Sequence, residues 1–187
     1  MKKFAIIGLL MVLAVPLHAQ KVAVKNNLLY DVSLTPNLGV EWRMSDHWTG
    51  GLSAGYNPFS FSDNKKWKHI LVSPEARYWF CSVFEGDFLA MNAIYSHFNT
   101  GNVKFPFGLY PSVKNERRQG DMVAVGASYG HAWLLSPHWN FEVEVGADVG
   151  YTKYDRFECA KCGEKLGSDK KGFVMPRLSV NIVYVIK

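Results

Sequence analysis

The stretch Asn37 to Asn57, NLGVEWRMSDHWTGGLSAGYN, constrains the fold more than any other part of the chain. Leu38, Val40, Trp42 and Met44 alternate with Asn37, Gly39, Glu41 and Arg43. After Ser45-Asp46-His47 the alternation restarts, with Trp48, Gly50, Leu52, Ala54 and Tyr56 set against Thr49, Gly51, Ser53, Gly55 and Asn57. A period of two marks a β-strand whose two faces meet different surroundings. The polar face is the informative one. A soluble sheet would carry dense Lys, Glu and Thr on its wet side, whereas this face carries Gly and Ser with isolated charges. That mixture suits the crowded interior of a narrow barrel, where backbones approach and charges pair. The apolar face then looks outward, into lipid.

The chain's 187 residues are enough for one domain. It opens Met1-Lys2-Lys3, runs apolar from Phe4 to Val15 and reaches Leu17-His18-Ala19. This is the pattern of a secretory signal, with cleavage expected after Ala19 and a mature domain over 20–187. Loss of Lys2 and Lys3 lowers the formal charge from +5 to +3, too small and too evenly spread for a nucleic-acid surface. No later apolar run is long enough for a membrane-crossing helix. Hydrophobic content is nevertheless 48% and aromatic content 14%. A membrane protein without spanning helices has to be a closed barrel, because open sheet edges do not sit in lipid.

The pattern continues along the chain. Strand one is expected over Val22 to Leu34, followed by the two strands above. Strand four runs from His69 to Phe80, with Ser73, Glu75 and Arg77 inward. Strand five covers Phe88 to Phe98, with neither alternating set cleanly apolar. Strand six covers Asp121 to Leu135. Strand seven, Trp139 to Lys153, is the clearest, with Trp139, Phe141, Val143, Val145, Ala147, Val149 and Tyr151 outward and Glu142, Glu144 and Asp148 inward. Strand eight closes the chain with Arg177, Ser179 and Asn181 inward. Turns after strands two, four and six are short. The segments Pro58–Lys68, Asn99–Gly120 and Tyr154–Lys171 read as long loops. Short periplasmic turns and long external loops are the asymmetry of outer-membrane barrels, and Trp and Tyr near strand ends fit aromatic girdles. The expectation is therefore an all-β, eight-stranded antiparallel up-and-down transmembrane β-barrel with both termini periplasmic, in contact with outer-membrane lipid. A soluble lipocalin-like barrel is the bland alternative.

The inward face carries Glu41, Glu75, Glu142, Glu144 and Asp148 with Arg43, Arg77, Arg177 and Lys25. Eight strands leave an interior only wide enough for side chains, and buried charges there have to pair. An ionic network that holds the barrel in shape is the expected role. A narrow gated pore is the functional alternative. No residue set is assigned to catalysis and no cofactor is expected. Ser128 with His131, and Ser96 with His97, lie on opposite faces of their strands, which leaves a lipid-modifying envelope enzyme as the weakest reading.

Two loop features carry the remaining chemistry. Asn99–Gly120 combines Phe105, Phe107, Leu109 and Tyr110 with Arg117 and Arg118. Apolar side chains beside basic ones can dock a surface protein or an anionic saccharide, or can fold over the barrel mouth and bury themselves. Cys159-Ala160-Lys161-Cys162-Gly163 in the last loop fits a local disulfide, a reduced pair, or half of a zinc site completed by another chain. Cys81 belongs to the opposite end of the barrel.

The strings KNNLLYDVSLTPNLGVEW (Lys25 to Trp42), LSAGYNPF (Leu52 to Phe59), DNKKWKHILVSPEARYWF (Asp63 to Phe80) and YDRFECAKCGEKLG (Tyr154 to Gly167) resemble a domain-of-unknown-function family of Bacteroides-type Gram-negative anaerobes. The resemblance implies a small outer-membrane β-barrel connected with fimbriae or cell-envelope organisation, and it brings no catalytic residues. The chain departs from many such barrels in ending Tyr184-Val185-Ile186-Lys187 rather than in an aromatic residue. Together these readings make it a structural and interaction barrel that displays surface loops.

Overall fold

The computed structural model describes residues 21–60, 66–103, 113–158 and 163–186. They form eight antiparallel strands in one sheet that closes in a ring: β1 (Val22–Asn27), β2 (Asn37–Arg43), β3 (Trp48–Asn57), β4 (Lys66–Trp79), β5 (Gly86–Val103), β6 (Val113–Leu134), β7 (Trp139–Phe157) and β8 (Lys165–Ile186). Each strand pairs with its sequence neighbours, and β1 pairs with β8 from Val22↔Ile186 to Asn27↔Asn181. The expected cleavage site after Ala19 lies outside the described residues.

The alternation sets the facing as the sequence implies. Leu52, Val125, Val145 and Leu178 are exposed on the outside, while Glu41, Arg77, Glu142, Glu144 and Asp148 are almost completely buried inside. Inward glycines make room for large neighbours. A Cβ at Gly130 would collide with the Phe88 ring, and one at Gly126 with the Asp148 carboxylate. Strand five, ambiguous in sequence, turns Phe88, Ala90, Asn92, Ile94 and Ser96 inward and Leu89, Met91 and Tyr95 outward.

Two expectations are corrected. Strand one does not continue to Leu34. It ends at Asn27, and a short helix, α1 (Leu28–Val32), follows. The Asn27 side chain accepts from Leu29 N at 3.0 Å, an N-cap. Asn37 then holds the base of this segment, donating to Asn27 O at 2.9 Å and to Asp31 Oδ1 at 3.0 Å. These short-range side-chain bonds outcompete the alternation. The described residues of two long loops, Asn99–Gly120 and Tyr154–Lys171, are also largely strand. The registers Thr100↔Arg118 and Tyr154↔Asp169 lie within continuing ladders, so β5 to β8 rise well beyond the level at which β1 to β3 stop.

The short-turn end is sealed. Trp79, Phe84 and Phe88 cluster there with Ala23, Val183 and Val185. The β4–β5 turn folds inward to supply Val83 and Phe84. Phe84 takes φ +69°, and its carbonyl accepts from Asn140 Nδ2 at 2.5 Å. Toward the loop end, Leu71, Ile94 and Ala124 form a second apolar layer under Tyr30 of α1.

The β2–β3 and β6–β7 turns are built alike. Trp42-Arg43-Met44-Ser45-Asp46-His47-Trp48 and Trp133-Leu134-Leu135-Ser136-Pro137-His138-Trp139 share Trp, Ser, His and Trp at the same spacing. Ser45 Oγ and Ser136 Oγ each accept from the following Trp N at 3.2 Å. His47 Nδ1 lies 2.9 Å from Trp79 O, and His138 Nδ1 lies 3.0 Å from Val185 O. The two histidines thus clip each hairpin to the strand that follows or closes it. The sequence motif was available to find this repeat, and the reading by alternation passed over it.

Candidate functional site

The charged interior is assembled from five strands. Arg77, on β4, is its hub and is 1% exposed. Its Nε meets Glu75 at 2.5 Å, Nη1 meets Glu142 at 2.9 Å and Glu41 at 3.1 Å, and Nη2 meets Glu144 at 3.3 Å. The guanidinium also lies over the Phe88 ring at 4.3 Å. Lys25 on β1 bridges Glu75 at 2.8 Å and Glu41 at 3.4 Å. Arg177 on β8 bridges Glu75 and Glu144, each at 2.7 Å. Hydroxyls complete the shell: Thr49 donates to Glu41 at 2.6 Å, Ser128 to Glu144 at 2.6 Å, and Trp79 Nε1 to Thr49 Oγ1 at 2.9 Å. A buried charge is tolerated only when paired and hydrogen-bonded, and this arrangement meets that condition for all but one oxygen, Glu142 Oε1.

The residues named from sequence are largely brought together. Glu41, Glu75, Arg77, Glu142, Glu144, Arg177 and Lys25 form one continuous network. Asp148 makes no direct ion pair with the cations among the described residues and accepts from Asn92 Nδ2 at 2.8 Å. Arg43 is not in the network, which corrects the sequence reading. It sits at the last position of β2 and pairs with Asp46 in the turn, because the strand has already left the interior. A small cavity of about 60 Å³ remains above Arg77 and Arg177, a volume for about two waters.

The outer wall holds two polar clusters that the sequence reading missed. Asp87 on β5 accepts from Tyr129 Oη at 2.6 Å and lies 2.7 Å from His131 Nδ1. Asp121 on β6 accepts from Tyr95 Oη at 2.9 Å and lies 2.9 Å from His97 Nδ1. The two clusters are inverted copies: a Tyr-x-His pair on one strand faces an Asp on the other. Both His residues point outward, while the buried Ser96 and Ser128 hydroxyls bond to Ile70 O and Glu144, so neither Ser–His pair meets.

Of the proposed binding loop, Phe105, Phe107 and Tyr110 lie outside the described residues. Arg117 and Arg118 are on β6 rather than on a loop. Their guanidinium groups lie over Phe157 at 4.1 Å and over Tyr154 at 5.3 Å. Cys159 and Cys162 lie outside the described residues, and Cys81 is an exposed free thiol at the short-turn end. Among the described residues, no group of three or more His, Cys, Asp or Glu is placed to hold a metal ion.

These features define a class: a small ring of antiparallel strands, apolar outside and ionic inside. The chain belongs to a family of proteins of unknown function (DUF3575), whose model matches residues 5–186. Comparison with curated proteins and with solved structures gives no match.

Proposed function

We propose that this chain is an outer-membrane β-barrel of structural and interaction type. Its wall lies in lipid, its interior is closed by the ionic network, and β5 to β8 carry their hairpins past the membrane to the cell surface. Both termini and the short turns then face the periplasm. The role is one in cell-envelope organisation, through a protein or saccharide partner held at the loop end.

The observation that carries this reading is the outward belt between the two Tyr–Asp–His clusters. From Asp87 to His97 the outward β5 positions are Leu89, Met91, Ala93 and Tyr95, and none is charged. Ten residues at about 3.4 Å per residue, tilted by roughly 40°, span about 25 Å, the height of the apolar band of such barrels. Paired rings gather at the short-turn border, with Trp48–Tyr78 centroids at 5.3 Å and Trp139–Tyr184 at 5.0 Å, as an aromatic girdle requires.

Envelope fractionation, followed by electrophoresis of boiled and unboiled samples, tests the reading. Recovery in the outer membrane with a heat-dependent mobility shift is expected. A soluble periplasmic protein would overturn it. The narrow-pore alternative requires ion conductance from the wild-type protein in planar bilayers, whereas the packed interior supports none.

A further inference from the structure

We propose that the outer wall binds one phosphate-bearing lipid across β5 to β8, with an acyl chain in a groove between Tyr95 and Tyr151 and the phosphate at Lys153 and Lys170. The inference rests on the membrane reading above and adds a specific ligand to it.

The groove, about 580 Å³, runs over Ala93, Val123, Val125 and Val149 on the outside of the ring. Small and β-branched residues form its floor, and the two tyrosines form its walls. Its shape and apolar lining suit a hydrocarbon chain rather than a polar solute. On a wall immersed in lipid, an acyl chain is the occupant at hand.

The register sets what lies at the groove's loop-side end. His97↔Asp121, Asp121↔Lys153 and Lys153↔Lys170 are successive cross-strand partners, so all four side chains share the outer face in one row. Asp121 is held on its β5 side by Tyr95 and His97 and offsets part of the Lys153 charge on its β7 side, while Lys170 has no carboxylate directly opposite it on β7. Lys153 and Lys170 stand directly opposite each other, both exposed. Like charges at opposed positions destabilise a sheet, and an anion between the two ammonium groups removes that repulsion. Tyr151, the next outward residue below Lys153, is exposed on the same face. A phosphate at this height is where the headgroup of a membrane lipid belongs, since clustered lysines at the membrane border attract anionic headgroups.

The test uses the full mature chain purified in a neutral detergent. Native mass spectrometry reads the retention of monophosphoryl lipid A, of dioleoyl phosphatidic acid, and of dioleoylglycerol as the phosphate-free probe. One phosphate-bearing lipid per chain is expected, with retention at least tenfold above dioleoylglycerol. Lys153→Gln with Lys170→Gln should lower that retention about tenfold. Val125→Trp, which fills the groove but leaves the lysines, should lower retention of all three probes. Equal retention by the double variant, or equal retention of dioleoylglycerol, would overturn the phosphate site. The heat-dependent mobility shift is followed in every sample. Its presence without lipid selectivity defeats only this proposal, and its absence from the wild-type chain defeats the membrane reading itself.

Discussion

The two halves of the ring, β1–β4 and β5–β8, are alike at one end and different at the other. At the short-turn end each carries the same Trp, Ser, His, Trp turn, and each histidine clips its hairpin to a neighbouring strand. At the loop end the first half stops early, with strands of 6, 7, 10 and 14 residues, while the second continues for 18, 22, 19 and 22. The shared end does a shared job, holding a closed rim. The unequal end is where one half has acquired a second surface. Between them lies the ionic network, which also joins the halves: Arg77 of the first reaches Glu142 and Glu144 of the second, and Arg177 of the second reaches Glu75 of the first.

The largest way to break the comparison is to cut that joint. Arg77→Ala leaves four glutamates facing a depleted interior, and removing one partner of a buried ion pair costs about 3–5 kcal/mol. The unfolding midpoint in urea with detergent should fall accordingly, and an unchanged midpoint would show that the halves are held by the wall alone. Next comes a test of matched glycines at equivalent positions, Gly39 and Gly130. Gly130→Ala meets the rigid Phe88 ring, whereas Gly39→Ala meets the Ser53 hydroxyl and the unbranched stem of Lys25, which have more torsional freedom than a ring. Overpacking of a rigid site costs about 1–3 kcal/mol, so Gly130→Ala should destabilise clearly more than Gly39→Ala; equal losses would refute this account of the interior.

The histidine clips give a smaller and symmetrical effect. His47→Ala and His138→Ala should each cost about 1 kcal/mol, the worth of one hydrogen bond. Matching losses in thermal mobility-shift assays support equivalent turns, and a large loss at one site only would break the equivalence. The smallest effects belong to the extension of β5–β8. Arg117→Gln removes a half-buried cation–π contact worth about 0.5–2 kcal/mol that lies outside the ring's ionic interior, and should leave the ring's unfolding midpoint unchanged. In the same region Lys165 and Ser168 hold the Asp155 carboxyl below its usual range. A depressed carboxyl supports the fold above its unfolded-state pKa and loses that support as pH falls through the folded-state value. Acid should therefore lower the amide protection factors of the β7–β8 hairpin, measured against the unstructured chain at the same pH, and Asp155→Asn should abolish that loss; a loss of protection that persists in the variant would remove Asp155 from the explanation.

The same contrast explains what the sequence revealed. Where the wall has unlike faces, as at Trp139 to Tyr151, alternation specified the strand, its facing and its buried acids. Beyond Lys153 both faces of the sheet are polar, the alternation vanishes, and strands such as Lys165–Lys171 look like loop. Strand five was ambiguous because its inner face crosses an apolar seal at Phe88 and Ala90, a polar layer at Asn92, and a second apolar layer at Ile94. Arg43 was assigned inward by parity, which carries no information about where a strand leaves the interior. The Tyr–Asp–His clusters depend on the β5–β6 register, which pairs residues distant in sequence and is not visible in either strand alone.

The seam between β1 and β8 has a consequence for how the chain reaches this shape. It joins residues 22–27 to residues 181–186, so the ring cannot close until the final strand has been made. All earlier stages are open sheets with two bare edges, and the contact that removes those edges is among the most distant in sequence. Closure of this kind is slow, and the open intermediates are prone to stick to one another. Keeping such open sheets apart until residues 181–186 zip against residues 22–27 therefore favours the closed ring.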